Sequence, residues 1–456
     1  MYLYTNQFDL VLEYHLNNNS DYYNVKEQKL RNAKKPIAFE IFETFVIRDM
    51  KYYHGTDKLD SAAALKTAMD NKPKRWTSSY TGRIGEALNI EAIKKSFNPL
   101  NFNILDNMLM SSSQGAIIYS TEEEAQNVHC YDIVSAYPRL LLEKIPKSFK
   151  RSTFKPNSNK IHFGKIVIKN FIAKNLAFLP LYRGKEIPSN CTINGKRIVA
   201  GESYSYYGFI EHELRILKNY YNCETISITD VYECEMDYLP EDSRNSIKTI
   251  YDNKLAAKGT INYDGYKQMF NRIFGYFITT YEQDGKIKIR DKNVPYQIGL
   301  WIISKQRQVM LDAIEAVGLE NVVAAHTDGI KVKGNFDLIF EKINSRRGNI
   351  YKNLGLWEKE EIIDRIQYLS NVKAKYEVNG VLKMKHGGIS DVDTANFLLN
   401  KTYDDITDES LINLTIGKKI LEADDGIYIV LRRREVPLST TEYILSDYII
   451  KKEAHT

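Results

Sequence analysis

NVVAAHTDGIKVKG, residues 321–334, is the stretch on which the fold of this chain turns. NVVAAH is an apolar run and IKVKG alternates apolar with charged residues. The stretch therefore predicts strand, tight turn and strand, with Asp-Gly at the turn. Asp328 then sits at the tip of a hairpin. A turn aspartate needs no function by itself, because Asp favours turns on backbone grounds alone. Asp328 gains weight from two segments that precede it.

The first is VHCYDIVSAYP (128–138). Strand alternation puts Val128, Cys130 and Asp132 on one face. A carboxylate there is costly unless it is paired or holds a metal. Ser135-Ala136-Tyr137-Pro138 follows, and a helix is expected from Pro138 through RLLLEKI, with Pro in the first turn. Backbone N–H groups at such a turn can receive phosphate oxygens. The second segment is YKQMFNRIFGYF (266–277), read as a helix on which Lys267, Asn271, Phe274 and Gly275 share a face. One Lys, one Asn, one ring and one Gly make poor core material. They suit a nucleotide: a cation for phosphates, a ring to stack and a glycine for close approach. Glycine inside a helix costs about 1 kcal/mol against alanine, so its presence there needs a reason.

Around these segments the chain reads as mixed helix and strand. Residues 84–96 form an amphipathic pattern, 127–134 a short strand, and 160–240 alternate like strands around one helix, EHELRILKNYY. Helices are expected at 246–258 and 297–317, and the first should pack against 266–277 as an antiparallel hairpin. With 456 residues, 43% of them hydrophobic, the chain allows two to four domains. Its net charge of +5 is compatible with a polyanionic partner, and its 32 tyrosines among many lysines suit stacking on bases. Four cysteines without a C-x-x-C pair argue against a zinc site or a disulfide framework. The N-terminus lacks a signal pattern and no long apolar run occurs, so a soluble, cytoplasmic protein without a membrane partner is expected.

Strand-Asp, lysine helix and hairpin-Asp, in that order, resemble motifs A, B and C of the family B DNA polymerases, whose patterns are D-x-x-S-L-Y-P, K-x-x-x-N-S-x-Y-G and Y-x-D-T-D-S. This chain has DIVSAYP (132–138), KQMFNRIFG (267–275) and AAHTDG (324–329). The protein-primed branch, used by small phages and linear plasmids, fits best. It carries an insertion after motif A, a Y-x-G-G/A element that SQGA (113–116) resembles, and a lysine-tyrosine element followed by a basic strand. YLSNVKAKYEVNG and LKMKHGGIS resemble those last two. The resemblance covers roughly 85–400. His326 replaces the first Asp of motif C, Phe274 replaces a Tyr, Arg272 a Ser, and Ser113 the Tyr of the fourth element. IFETF (41–45) resembles the first exonuclease motif with Ile41 in place of its Asp, and YHGTD (53–57) fits the last one.

The resemblance implies an α/β (α+β) right-hand polymerase. Expected are a reduced exonuclease-like N-terminal domain (1–110), palm with insertion (111–245), a fingers hairpin (246–280), palm with the motif C hairpin (281–380) and a thumb (381–456). It implies template-directed DNA synthesis, with two Mg²⁺ ions, replaceable by Mn²⁺, held by Asp132, Asp328 and the Ile133 carbonyl. Lys267 is the expected phosphate cation. Ser135, Tyr137, Asn271, Phe274, Gly275 and either Lys254 or Lys258 are expected around the deoxynucleotide, with Tyr137 excluding a 2′-hydroxyl. Gly115, Thr327, Lys373, Lys375, Tyr376, Lys383 and Lys385 are expected at the primer-template DNA. Proofreading is not expected, strand displacement should be weak, and the branch allows a terminal (priming) protein and a separate exonuclease subunit as partners. The alternative is a catalytically weak, DNA-binding relative that needs such partners in trans.

Overall fold

The computed structural model describes residues 84–97 apart from 86 and 87, 115–407 with short gaps, and isolated strands between 45 and 59 and between 420 and 451. The chain divides into two compact units. The larger holds residues 84–253 and 268–367; the smaller holds 1–83, 254–267 and 368–456.

Strands β1 (Phe45–Arg48), β2 (Lys51–His54) and β3 (Asp57–Leu59) form a meander in the smaller unit. Ile41, the position that decides the first exonuclease motif, lies outside the described residues.

The larger unit is built on two antiparallel sheets. The first contains β4 (Ile118–Ser120) and β5 (Ala125–Ile133). The second is made by the insertion after β5: β6 (Ile145–Arg151), β7 (Ile161–Ala173), β8 (Cys191–Asn194), β9 (Arg197–Phe209) and β10 (Tyr221–Asp237), in the order β6-β10-β7-β9-β8. The expected strand alternation over 160–240 is present here, interrupted by one helix. Strands β11 (Thr280–Gln283) and β12 (Lys286–Ile289) pair as a hairpin. The first sheet is completed by β13 (Val322–His326), β14 (Gly329–Lys333) and β15 (Trp357–Ser370), giving the run β15-β5-β14-β13-β4. In the smaller unit β16 (Lys373–Val378) pairs with β17 (Val381–His386), and β18 to β22 lie between Ile420 and Lys451.

The helices are α1 (Ile90–Ser96), α2 (Ala136–Leu140), α3 (Ile210–Tyr220), α4 (Glu241–Ala256), α5 (Tyr263–Arg272), α6 (Tyr296–Val317) and α7 (Asp337–Arg347). One apolar cluster joins residues of both sheets with α3 and α6, including Ile133, Ile330, Ile166, Tyr206, Leu217, Met310 and Ile314. A buried ion pair crosses this core. Arg307 of α6 donates to Glu213 of α3 at 2.9 Å and to the Pro180 carbonyl at 2.8 Å, with both charged side chains almost wholly enclosed.

Three expectations are corrected. The helix expected from Pro138 to Ile145 is the short α2, and Ile145 already begins β6. Leu140, Leu141 and Leu142 are all buried, so this run has no polar face to sustain an amphipathic helix. Pro146, which lacks an N–H, is accommodated because β6 is an edge strand. Second, the helix expected over 266–277 ends at Arg272, and Phe274–Ile278 continue as a 3₁₀ turn, so Phe274 and Gly275 leave the face carrying Lys267 and Asn271. Gly275, which disfavours a continued α-helix, sits in this turn, and Ile273 and Phe277 on either side of it are buried. Third, the hairpin loop is Thr327-Asp328, because His326 pairs with Gly329.

Candidate active site

Asp132 lies next to last in β5, between β14 and β15. Its register partners are Gly329 on one side and Glu358 on the other. Asp328 immediately precedes Gly329, and its carbonyl accepts from the Ile133 N–H at 3.0 Å. The hairpin thereby sets the two aspartates side by side. Gly329 is required by this arrangement for its lack of a side chain. A Cβ there would stand 2.8 Å from Asp132 Oδ1.

Electrostatics bears out the proximity. Burial, then the Asp328 charge, then the Glu360 charge push the Asp132 carboxyl up to about 7. Lys331 acts in the opposite sense; its ammonium rests 3.1 Å from the Cys130 thiol on the same face of the sheet. Burial and the nearby Asp328 carboxylate also push the Tyr137 phenol up. Asp328 therefore stands close to both Asp132 and Tyr137.

The hairpin tip is strained and held from several sides. The Asp328 N–H donates to the His326 carbonyl at 2.6 Å, closing a γ-turn around Thr327, whose φ is +61°. A β-branched residue rarely adopts that conformation. The Thr327 N–H is tied to the Ile117 carbonyl at 3.0 Å, and Gln306 Nε2 of α6 donates to the Thr327 carbonyl at 3.3 Å. Gly115 lies just before this anchor and is partly exposed at φ +65°.

The turn after Asp132 is held by the loop 347–356. Val134 exchanges hydrogen bonds with that loop, donating to the Leu356 carbonyl at 2.9 Å and accepting from the Gly355 N–H at 2.6 Å. Buried Arg139 of α2 donates to the carbonyls of Arg347, Gly348 and Leu354 at 2.9, 3.2 and 3.4 Å. Its methylenes fill the space over Gly355, where a Cβ would collide with Arg139 Cδ at 1.8 Å. Ser135 takes a left-handed conformation at the start of α2, with φ +50° and no side-chain cap. Tyr137 stacks on Phe274, the ring centroids 4.3 Å apart and nearly parallel. Among the candidate residues, Asp132, Ile133, Ser135, Tyr137, Asp328 and Phe274 thus belong to one neighbourhood of the larger unit, with Gly275 adjoining Phe274.

No protein-family model matches the chain, and no curated protein matches it. Solved structures do. Phi29 DNA polymerase in an orthorhombic crystal form aligns with a TM-score of 0.57 at 16% identity, over 75% of this chain and 66% of that one. The same polymerase complexed with single-stranded DNA gives 0.57 at 17% identity, over 82% and 69%. Its post-translocation binary complex with primer-template DNA gives 0.53 at 17%, over 76% and 65%. The fold is that of Phi29 DNA polymerase. This chain spans about two thirds of the length of that polymerase.

The shared fold leaves the remaining candidates to be placed one by one. Asn271 is exposed near the end of α5. Tyr251 of α4 stacks on Phe270 of α5, the rings 5.4 Å apart, which joins the two helices of the expected hairpin. Lys254, Lys258 and Lys267 belong to the smaller unit; Lys267 is exposed, its ammonium 5.9 Å from the Tyr263 ring. In β16 and β17, Lys383 and Tyr376 are partly exposed and Lys385 exposed, whereas Lys373 is buried. Lys375, expected at DNA, is turned inward: it donates to the Tyr403 carbonyl at 3.1 Å and sits over the Tyr403 ring. Sequence reasoning missed Gly329, Lys331 and Arg139, whose roles come from cross-strand register and a distant loop.

Asp132 and Asp328 are chemically suited to a divalent cation. Two adjacent carboxylates, one pushed toward neutrality by burial and then by the other, gain from a shared cation. Among the described residues no group of three or more His, Cys, Asp or Glu is gathered as a metal cage. Asp132 and Asp328 could hold a hard divalent cation, of a kind that takes one or two carboxylates and completes its shell with water. Among the described residues, no helix is long and apolar enough to cross a membrane.

Proposed function

We propose that this chain is a template-directed DNA polymerase that extends a primer 3′-hydroxyl with deoxynucleotides. The observation that carries the reading is the placement of Asp132 and Asp328 side by side by the β5–β14 register, on a fold shared with Phi29 DNA polymerase. In the family B resemblance, motif A falls on β5 and the turn into α2, motif C on the β13–β14 hairpin, and motif B on α5 and the 3₁₀ turn after it.

In this reading Asp132, Asp328 and the Ile133 carbonyl hold two Mg²⁺ ions. The metals would activate the primer hydroxyl and stabilise the leaving pyrophosphate. The residues themselves do the rest. The Ile133–Asp328 hydrogen bond and the bond from Gln306 to Thr327 fix the carboxylates before substrate arrives. Tyr137, kept as a phenol by burial and by Asp328, offers a ring edge against a ribose 2′-hydroxyl. Phe274 stacks on it, as a ring for the base side would; the family resemblance assigns the phosphates to Lys267, with Lys254 or Lys258. Lys383, Lys385 and Tyr376 are the exposed candidates for primer-template backbone, so DNA binding falls as salt rises. Proofreading by this chain, a terminal protein and an exonuclease partner stay within the proposal as expectations, the first negative.

A second reading, a weakly catalytic DNA-binding relative, is favoured by His326, which stands in the first Asp position of motif C. Primer extension on a recessed DNA template with Mg²⁺ and four deoxynucleotides, beside Asp328→Asn, separates the two. Extension by the parent alone supports the polymerase. DNA binding without extension by either supports the relative.

A further inference from the structure

Outside the aspartate site, two tyrosines of the larger unit each have two cations near the ring. Tyr238, 45% exposed, has Arg244 5.2 Å and Lys144 5.7 Å from its ring centre. Tyr351 has Lys352 at 5.3 Å and Lys248 at 5.5 Å. Arg244 and Lys248 lie four residues apart on α4, on one face and about 6 Å apart along its axis. Successive turns of α4 thus bring a cation to each ring. Lys144 comes from the segment before β6, and Tyr351 and Lys352 from the loop that holds the Val134 turn, so three separate elements converge on the stripe.

The orientation is fixed by polar contacts, and the Tyr351 ring also meets Tyr251 edge-on with centroids 6.3 Å apart. Arg244 Nε donates to the Leu239 carbonyl at 3.1 Å, and the Tyr351 hydroxyl donates to Asp252 at 2.6 Å. Asp252 also pairs with Lys352 at 2.7 Å, and Asp237 with Lys147 at 2.8 Å. Glu241 and Asp242 precede Arg244 by one turn. These carboxylates offset part of the charge, but Lys144, Arg244 and Lys248 surround the rings.

Cations interleaved with partly exposed aromatic rings suit a single nucleic-acid strand, whose unpaired bases stack while its phosphates take the cations. A duplex would use the cations and leave the rings idle, since its bases are already stacked. We infer that this stripe binds single-stranded nucleic acid, and, resting on the polymerase reading, that its occupant is the unpaired template strand beyond the primer. No hydrogen-bonding pattern specific to one base is built into the stripe, so binding is independent of sequence.

The test measures binding of the full chain in EDTA to labelled hairpin primer-templates whose 5′ template overhang is one nucleotide or about twelve, a length within the usual site size of such grooves. The parent should favour the long overhang by about tenfold, the order expected from one or two stacked bases. Tyr238→Ala combined with Lys248→Gln, both at the surface, should bring that preference close to unity without weakening the short-overhang complex or its extension with Mg²⁺. Tyr351→Phe, which keeps the ring, should behave as the parent. The inference is overturned if the parent shows no overhang preference, if the preference survives the double variant, or if both overhangs weaken together. Loss of the preference in a chain that never extends a primer would sink the polymerase reading and leave the stripe standing.

Discussion

Replacing Asp132 with asparagine should stabilise the metal-free protein at high pH and not at low pH. The carboxyl is held at about 7 in the folded chain against an ordinary value of 3.8, by burial, Asp328 and Glu360 in that order. The folded state therefore holds this proton more tightly than the unfolded state. Stability associated with the protonated group is complete below about pH 4 and is lost as pH rises toward 7. A shift of about three units corresponds to about 4 kcal/mol at 1.36 kcal/mol per unit. Partial solvent access to the site lowers this to about 2–4 kcal/mol. Asparagine keeps the shape and carries no charge, so the variant escapes that loss.

Unfolding by urea in EDTA, followed by tryptophan fluorescence, measures the difference. Two of the three tryptophans, Trp301 and Trp357, lie in the larger unit, and Trp357 is register partner to Ile133, one residue from Asp132. The midpoint of Asp132→Asn should lie above that of the parent at pH 8 and converge with it at pH 4.5. Mg²⁺ at pH 8 should stabilise the parent more than the variant and narrow the gap. A gap that is equal at both pH values, or a variant less stable at pH 8, would refute the electrostatic account of the aspartate pair.

Other consequences follow from contacts around the site. Gly329→Ala should reduce primer extension at least tenfold while altering the unfolding midpoint little, because the new methyl presses on Asp132 Oδ1 without demanding an unusual backbone; unchanged kcat/KM would contradict this. Tyr137→Val should admit ribonucleotides, read as the ratio of kcat/KM for ribo- and deoxynucleotides, and an unchanged ratio would remove Tyr137 as the sugar gate. Glu213→Gln should cost about 3–5 kcal/mol, since Arg307 is left charged and enclosed, and urea unfolding of the variant checks it.

How much of this was legible in the sequence depends on the range of the interaction. Alternation in 128–134 and the apolar run followed by alternation in 321–334 mark three strands, a turn and two aspartates near strand ends, and the observed elements are β5, β13 and β14. Periodicity likewise marks α6, expected over 297–317 and found at Tyr296–Val317. What periodicity cannot weigh is competition. The leucines at 140–142 resemble a helix until the core that encloses them on every side is known. The turn centre moved by one residue because Gly329 is needed beneath Asp132, a demand that arises from a strand nearly two hundred residues earlier. Lys375 has the spacing of a DNA contact, yet Tyr403 offers it both a carbonyl and a ring. Arg139 carries no sequence signal, because its partners are main-chain carbonyls of a loop far along the chain.

The same geometry explains why a folded chain tolerates so costly a corner. Thr327 and Ser135 both occupy left-handed backbone, and two carboxylates share one partly buried place. Strained conformations of this kind cost about 1–3 kcal/mol each and persist only where surrounding structure dictates them. Here Ile117 and Gln306 hold Thr327, while Leu356, Gly355 and Arg139 hold the turn that contains Ser135. Those restraints issue from the large common core, whose burial offsets the local cost. A corner so held cannot relax by moving the aspartates apart. Its repulsion can be relieved only by a proton, at the expense of charge, or by a cation, which keeps the charge and brings in a ligand. On the proposed reading, the rigid backing would convert electrostatic strain into affinity for a divalent ion at the point where the hairpin and the Asp132 strand meet.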